Sequence, residues 1–218
     1  MFIHQHPYPP FIPENATKLI IGTLPPPRFS GSALYHDDVD FCYGSKYGLL
    51  WPILDAIYNL KLTYQNNKIA VEERKEFLMK FGIGICDIVE SCEREKIDAS
   101  DLGMDNIIKR DIIKYLESFK KINTILFMGG NSKNGPEYLF RKYLTNFELK
   151  LETVTDTNPK INQFTIKGRI IKTISLISPS NAANRSIGSN PIYKEEKLKN
   201  KEFTTLQFRI DQYRKYFM

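Results

Sequence analysis

A chain of 218 residues, 42% hydrophobic and 26% charged, can bury one substantial core, which excludes a disordered or fibrous protein and leaves little room for a second full domain. The formal net charge of +6 suits a polyanionic partner without demanding one, since many enzymes are equally basic. The three cysteines, Cys42, Cys86 and Cys92, show no C-x-x-C spacing, so they suggest neither a disulfide framework nor a thiolate zinc site and fit a reducing compartment best.

The opening stretch MFIHQHPYPPFIPENA lacks the basic and continuously apolar regions of a signal peptide, and no apolar run is long enough to cross a bilayer. The expectation is a soluble, cytoplasmic, monomeric protein forming one domain over residues 1–218. After that proline-rich lead, KLIIGT (Lys18 to Thr23) reads as a short buried strand stopped by LPPPRFSGS. A loop runs on to about Gly48. LLWPILDAIYNL then has apolar residues at helical spacing, with Pro52 tolerable only in the first turn, which puts Trp51 at a helix start. VEERKEFLMKF is a second amphipathic helix, and GIGICDIV (Gly82 to Val89) reads as one buried strand ending near ESCEREK.

Asp105 is the expected N-cap of a helix through NIIKRDIIKYLESF. INTILFM is the next strand, broken by GGNSKNG, where Gly129, Gly130, Asn131 and Ser132 are expected to open a helix with free backbone N–H groups. PEYLFRKYL is helical, while LKLETV, QFTIK and IIKTISLI are strand-like, the last two joined in hairpin fashion across Lys167, Gly168 and Arg169. Phe203, Leu206, Ile210 and Tyr213 form one stripe of a closing helix, and the mixed charges of KEEKLKNKEF read as a solvated helix face.

Strands separated by helices predict a three-layer α/β/α sandwich with a mainly parallel central sheet, and in such sheets ligands bind beyond the carboxyl ends of the strands. Four loops hold that position: TLPPPRF, DIVESCERE, MGGNSKNG and ISPSNAANRS. Taken in this order they resemble the uracil-DNA glycosylase superfamily, and within it the hypoxanthine-DNA glycosylase-like branch, over about Lys18 to Arg185. Gly22-Thr23-Leu24-Pro25 looks like the G-S/T-x-P motif after the first strand, with Tyr43 and Trp51 in the aromatic stretch that follows. Asp87, Ser91, Cys92, Glu93, Arg94 and Glu95 line up with G-I-x-x-W-D-V/I-x-x-S-C-E-R-E, a passage followed closely by a D-S or similar pair. ILFMGG is similar to a strand ending in F-N-G. Ser178, Pro179, Ser180 and Arg185 hold the places of a loop that clamps DNA phosphates and wedges into the gap left by a flipped nucleotide.

The resemblance implies a partner, DNA, and an activity, hydrolysis of the N-glycosidic bond of a deaminated or modified base, with no metal or organic cofactor. It assigns base contacts to Gly22, Thr23, Leu24, Pro25, Tyr43 and Gly48, while Asn131, read from its loop, suits a base edge and a helix N-cap equally. DNA contacts fall to Ser178, Pro179, Ser180, Asn181, Asn184 and Arg185. The chain departs from the family where water is usually oriented: Gly48 stands in the position of an Asn, Leu24 offers no amide or carboxylate, and Met128 replaces the Asn of F-N-G. The second loop has no histidine, since His4, His6 and His36 all lie near the N-terminus. Two readings stay open, a hydrolase whose water activator comes from elsewhere and a catalytically silent reader of damaged or modified DNA. A hydrolase of free nucleosides, a third reading, requires a closed pocket.

For the active reading, two carboxylates are candidate catalytic residues. Asp40 is the nearest of Asp37, Asp38 and Asp40 to the aromatic passage, with a solvated acidic loop as the plainer account of the cluster. Asp87 ends a buried strand, where an ionised carboxylate needs a partner, so it is either tied to Arg94 or another basic group, or a site residue with a shifted pKa. Tyr43 is the expected stacking platform for a base. Trp51, inside LLWPIL, belongs to the core, and Tyr47 fits a surface aromatic as well as a DNA contact.

Overall fold

The computed structural model describes residues 1–31 and 33–218. Among the described residues the strands are β1 (Phe2–Gln5), β2 (Lys18–Ile21), β3 (Ile83–Ile85), β4 (Val89–Arg94), β5 (Asp105–Lys109), β6 (Thr124–Phe127), β7 (Glu152–Thr155), β8 (Lys160–Ile166) and β9 (Arg169–Ser175). The α-helices are α1 (Leu50–Tyr58), α2 (Lys68–Phe81), α3 (Ile112–Ser118), α4 (Pro136–Leu144), α5 (Asn184–Ser189), α6 (Pro191–Lys199) and α7 (Thr205–Phe217). Six strands form the central sheet in the order β3-β2-β6-β9-β8-β7, the first four parallel and the last two antiparallel.

The central strands are short and largely apolar, as strands covered on both faces must be. Leu19 and Ile21 join one core cluster with residues of α3 and α4, while Ile20 between them joins the other with residues of α1, α2 and α7. A side-chain period of two thus feeds both faces from one run, and the expected three-layer sandwich results. Trp51, 1% exposed near the start of α1, donates its Nε1 proton to the Cys42 carbonyl at 2.9 Å, so the indole is a satisfied core group, as its apolar neighbours suggested. Pro52 lies in the first turn, where its missing N–H has no intrahelical partner to lose. The expected β8–β9 hairpin turns through Lys167 and Gly168, at φ 45° and 75°.

The passage after β3 corrects the single-strand expectation. The chain leaves the central sheet at Cys86 and Asp87, and Val89–Arg94 enters a second, three-stranded antiparallel sheet in the order β1-β4-β5. Asp105 begins a strand there instead of capping a helix. The cap is Asp111, whose carboxylate accepts from the Lys114 amide at 3.1 Å, and α3 is correspondingly shorter. The pairs Ile107-Ile108 and Ile112-Ile113 fit a helical period, but pairing with β4 overrides it for the first. The proline-rich lead likewise contains β1, whose partner strand lies far along the chain. After β6 an irregular loop continues to Gly135 before α4 starts at Pro136, so Gly129 and Gly130 do not open a helix.

No helix among the described residues is long and apolar enough to cross a membrane, and no group of three or more of their His, Cys, Asp or Glu side chains could hold a metal ion. Because β2, β3, β6 and β9 are parallel, Gly22-Thr23, Cys86-Asp87, Met128-Gly129 and Leu176-Ile177 leave the sheet at one edge.

Candidate active site

A cleft of about 260 Å³ opens at this edge between the ends of β6 and β9. The β6 side supplies Met128, Gly129, Gly130 and Ser132, with Gly135 and Pro136 at the start of α4. The β9 side supplies Leu176, Ile177 and Ser178, then Ala183 and Ser186. Much of this lining is short, so main-chain groups can approach a ligand closely. Among the described residues lining the cleft, the ionisable one is Asp101, from a 3₁₀ turn (Asp101–Gly103) between β4 and β5.

Three hydrogen bonds set Asp101 in place. Thr23 donates its hydroxyl to Asp101 Oδ1 at 2.7 Å, and Asn134 Nδ2 donates to the Asp101 and Met104 carbonyls at 3.0 and 2.9 Å. The β4–β5 connection is therefore tied to the loops after both β2 and β6. Burial pushes the Asp101 carboxyl up to about 6, against the Thr23 hydrogen bond and the Arg94 charge, with Asp87 adding a small upward push. A larger, shallower hollow of about 480 Å³ beside α1, lined by Pro52, Asp55, Ala56, Asn59 and Tyr64, has no comparable group. Its Asp55 is occupied by the Lys61 and Leu62 amides and the Tyr64 hydroxyl.

Asp87, 5% exposed, follows β3. Its Oδ1 accepts the Gly22 amide at 3.0 Å and the Tyr43 hydroxyl at 3.2 Å, and its Oδ2 lies 3.0 Å from His6 Nε2. The Tyr8 amide donates to His6 Nδ1 at 3.1 Å, which leaves Nε2 to carry the proton toward Asp87. The basic partner of Asp87 is thus His6, while Arg94 donates to His4 Nδ1 and the Ser100 carbonyl. Tyr43 reaches the carboxylate from left-handed backbone, φ 59°. A Cβ on residue 22 would lie 1.8 Å from the Tyr43 hydroxyl oxygen, so only glycine admits the ring. Burial, and then the neighbouring Asp87 charge, raise the Tyr43 pKa and keep its hydroxyl a donor.

The loops around the cleft are built on two buried ions. Asp38 is fully buried, accepting two hydrogen bonds from Arg28 at 2.7 and 2.8 Å and the Tyr35 and Lys46 amides at 2.9 Å each. Burial pushes its carboxyl up, but Arg28 and the two amides outweigh that and hold it below the usual range. A solvated acidic loop is therefore the wrong description of Asp38. Beneath the loop after β9, Arg209 of α7 is also fully buried. It donates to the Ser178, Ser180 and Thr205 carbonyls at 3.0, 2.8 and 3.1 Å and to Asn184 Oδ1 at 2.9 Å, all neutral acceptors. Burial lowers its pKa.

The sequence candidates distribute unevenly over this geometry. Gly22 and Thr23 touch Asp87 and Asp101, but Leu24 packs against the core and Pro25 is buried. Gly48 lies in a turn with its amide on the Ser45 carbonyl, and Asn131 is exposed and does not line the cleft. Asp40 is exposed, accepts the Tyr8 hydroxyl at 2.7 Å, and does not line the cleft either. Of the second-loop residues Ser178 lines the cleft. Pro179 is buried with its carbonyl on the Leu49 amide, Ser180, Asn181 and Arg185 are exposed, and Asn184 is half-buried. Residue-by-residue reading missed His6 and Asp101, neither of which carries a local signal.

No family model matches the chain, and no curated protein matches it. Among solved structures it is similar to the solution NMR structure of a "putative Uracil DNA glycosylase" from Methanosarcina acetivorans, with TM-score 0.54 and 18% identity over 96% of this chain and 99% of that one. At that identity the likeness is one of fold, and it extends over almost the whole of both chains.

Proposed function

We propose that the protein is a DNA glycosylase-like hydrolase that takes an extruded, deaminated or modified base into the cleft between β6 and β9 and hydrolyses its N-glycosidic bond. The observation that carries this reading is the cleft between the motif loops after β6 and β9, which holds the half-buried Asp101 tied to the G-T-L-P loop through Thr23. Cleavage passes through an oxocarbenium-like transition state, so it needs an oriented water and fixed dipoles near the departing base. Main chain at Gly129 and Gly130 can approach the base, whereas Tyr43 packs against the core with its hydroxyl on Asp87 and does not line this cleft. Ser178, Ser180, Asn181, Asn184 and Arg185 provide the short donors and the cation that suit phosphates. Hypoxanthine is the first base to test, following the branch the motifs resemble.

Base release from single- and double-stranded oligonucleotides carrying uracil, hypoxanthine, xanthine or bulkier modified pyrimidines, scored by alkaline strand cleavage, tests the proposal. Cleavage at one of these bases is expected. Failure with all of them favours the second reading, a catalytically silent reader of modified DNA. That reading draws on Leu24 and Gly48, one packed in the core and the other without a side chain, and it expects salt-sensitive binding without cleavage.

A further inference from the structure

We propose that Asp101 is the catalytic base of this site, taking over from the amide that Gly48 cannot supply; the assignment rests on the hydrolase reading above. Asp101 comes from the β4–β5 turn, a segment outside the loops after β6 and β9, yet it lines the cleft between them. Its Oδ1 is held by Thr23 at 2.7 Å, while hydrogen bonding leaves Oδ2 without a partner among the described residues. The turn beneath it is fixed by Asn134 through the Asp101 and Met104 carbonyls. A carboxyl anchored by one oxygen and open at the other is the geometry that orienting a water requires.

The step balances without a co-reactant. Asp101 accepts one proton of the water as the water oxygen bonds to C1′ of the sugar. The C1′–N bond breaks with its electron pair passing to the base nitrogen, which then takes up a proton, and Asp101 returns its own to solvent. The charged and polar groups facing Asp101 are the Thr23 hydroxyl after β2, Asp87 after β3 and Arg94 of β4. Burial leaves it poised to ionise at about 6, where a base can both hold and release a proton near neutrality.

The experiment is single-turnover base release from about pH 5 to 8, with wild type beside Asp101→Asn, Asp101→Glu and Thr23→Val. Wild-type rate is expected to rise with pH through a midpoint near 6 and level off. Asp101→Asn should be slower by about 10²- to 10⁴-fold and lose that midpoint, Asp101→Glu should recover part of the rate, and Thr23→Val should move the midpoint upward. Thermal unfolding separates a half-satisfied carboxyl from one whose charge the fold compensates. A carboxyl at about 6 in the folded protein and about 3.9 in the unfolded chain stabilises the fold below pH 4 and loses that contribution as pH rises through 6. Asp101→Asn should therefore melt at or above wild type at neutral pH, and gain nothing in acid.

Wild type that cleaves a base while folded Asp101→Asn cleaves it equally fast overturns the assignment and leaves the hydrolase reading standing. A rate that falls as pH rises through 6 overturns the role as base. Wild type that cleaves none of the bases overturns both together. Should Asp101→Asn fail to fold, an unmoved midpoint in Thr23→Val overturns the assignment.

Discussion

Two aspartates stand near neighbouring strand ends of one sheet edge, and they are bonded in opposite ways. Asp87 has donors on both oxygens, from the Gly22 amide, Tyr43 and His6. Asp101 has one oxygen held by Thr23 and faces a cleft. A buried carboxylate whose lone pairs are filled is a structural hub, because its charge is compensated by fixed groups and it has no capacity for a substrate. One that is half satisfied keeps an uncompensated desolvation cost, visible as its raised pKa, and retains the freedom to bind and move a proton. Burial alone therefore does not separate a structural carboxylate from one free to bind; unfilled hydrogen-bonding capacity does.

The sharpest way to break this contrast is Asp87→Ala. It strands the Gly22 N–H, the His6 Nε2–H and the Tyr43 hydroxyl, at about 1–3 kcal/mol for each buried donor. A loss of roughly 3 kcal/mol or more is expected, seen as a Tm lower by roughly 6–12 °C. Asp101→Ala at neutral pH should lose far less, and equal losses would dissolve the distinction. Gly22→Ala comes next. Its methyl would meet the Tyr43 hydroxyl at 1.8 Å, so the ring must leave Asp87, at a cost of about 1–3 kcal/mol and with changed Tyr43 resonances in an NMR spectrum. Tyr43→Phe is the mildest, removing one donor of three for about 0.5–1.5 kcal/mol; a denaturant midpoint shifted by more than that would mean the hydroxyl does something besides hold Asp87.

The same contrast explains what the sequence made legible. The parallel sheet could be read because Lys18–Ile21, Thr124–Phe127 and Arg169–Ser175 are compact apolar runs ended by glycine, proline or serine, a local signal. The strand-end loops followed from the sheet, and Trp51 followed from its apolar neighbours. The β1-β4-β5 sheet was hidden, since Phe2–Gln5 is too short to announce itself and Asp105–Lys109 runs into a helical period. His6 and Asp101 were hidden for the same reason. Each is delivered to the site by that sheet or its connections, so finding them required pairing information that no local window contains. Asp40 drew attention by proximity in sequence to the aromatic passage, whereas strand order governs proximity to the cleft.

Arg209 carries a different consequence. A guanidinium sealed beneath the loop after β9, with carbonyl and amide oxygens as its acceptors, leaves that loop with an unbalanced positive potential. An anion bound on that loop is therefore expected to raise the melting temperature, which a thermal-shift titration with a short oligonucleotide checks. A ligand that bound only the folded state, at about one hundred times its Kd, would add roughly 2.7 kcal/mol to the stability of the whole protein. The melting temperature would then report occupancy of the loop whether or not any bond is cut.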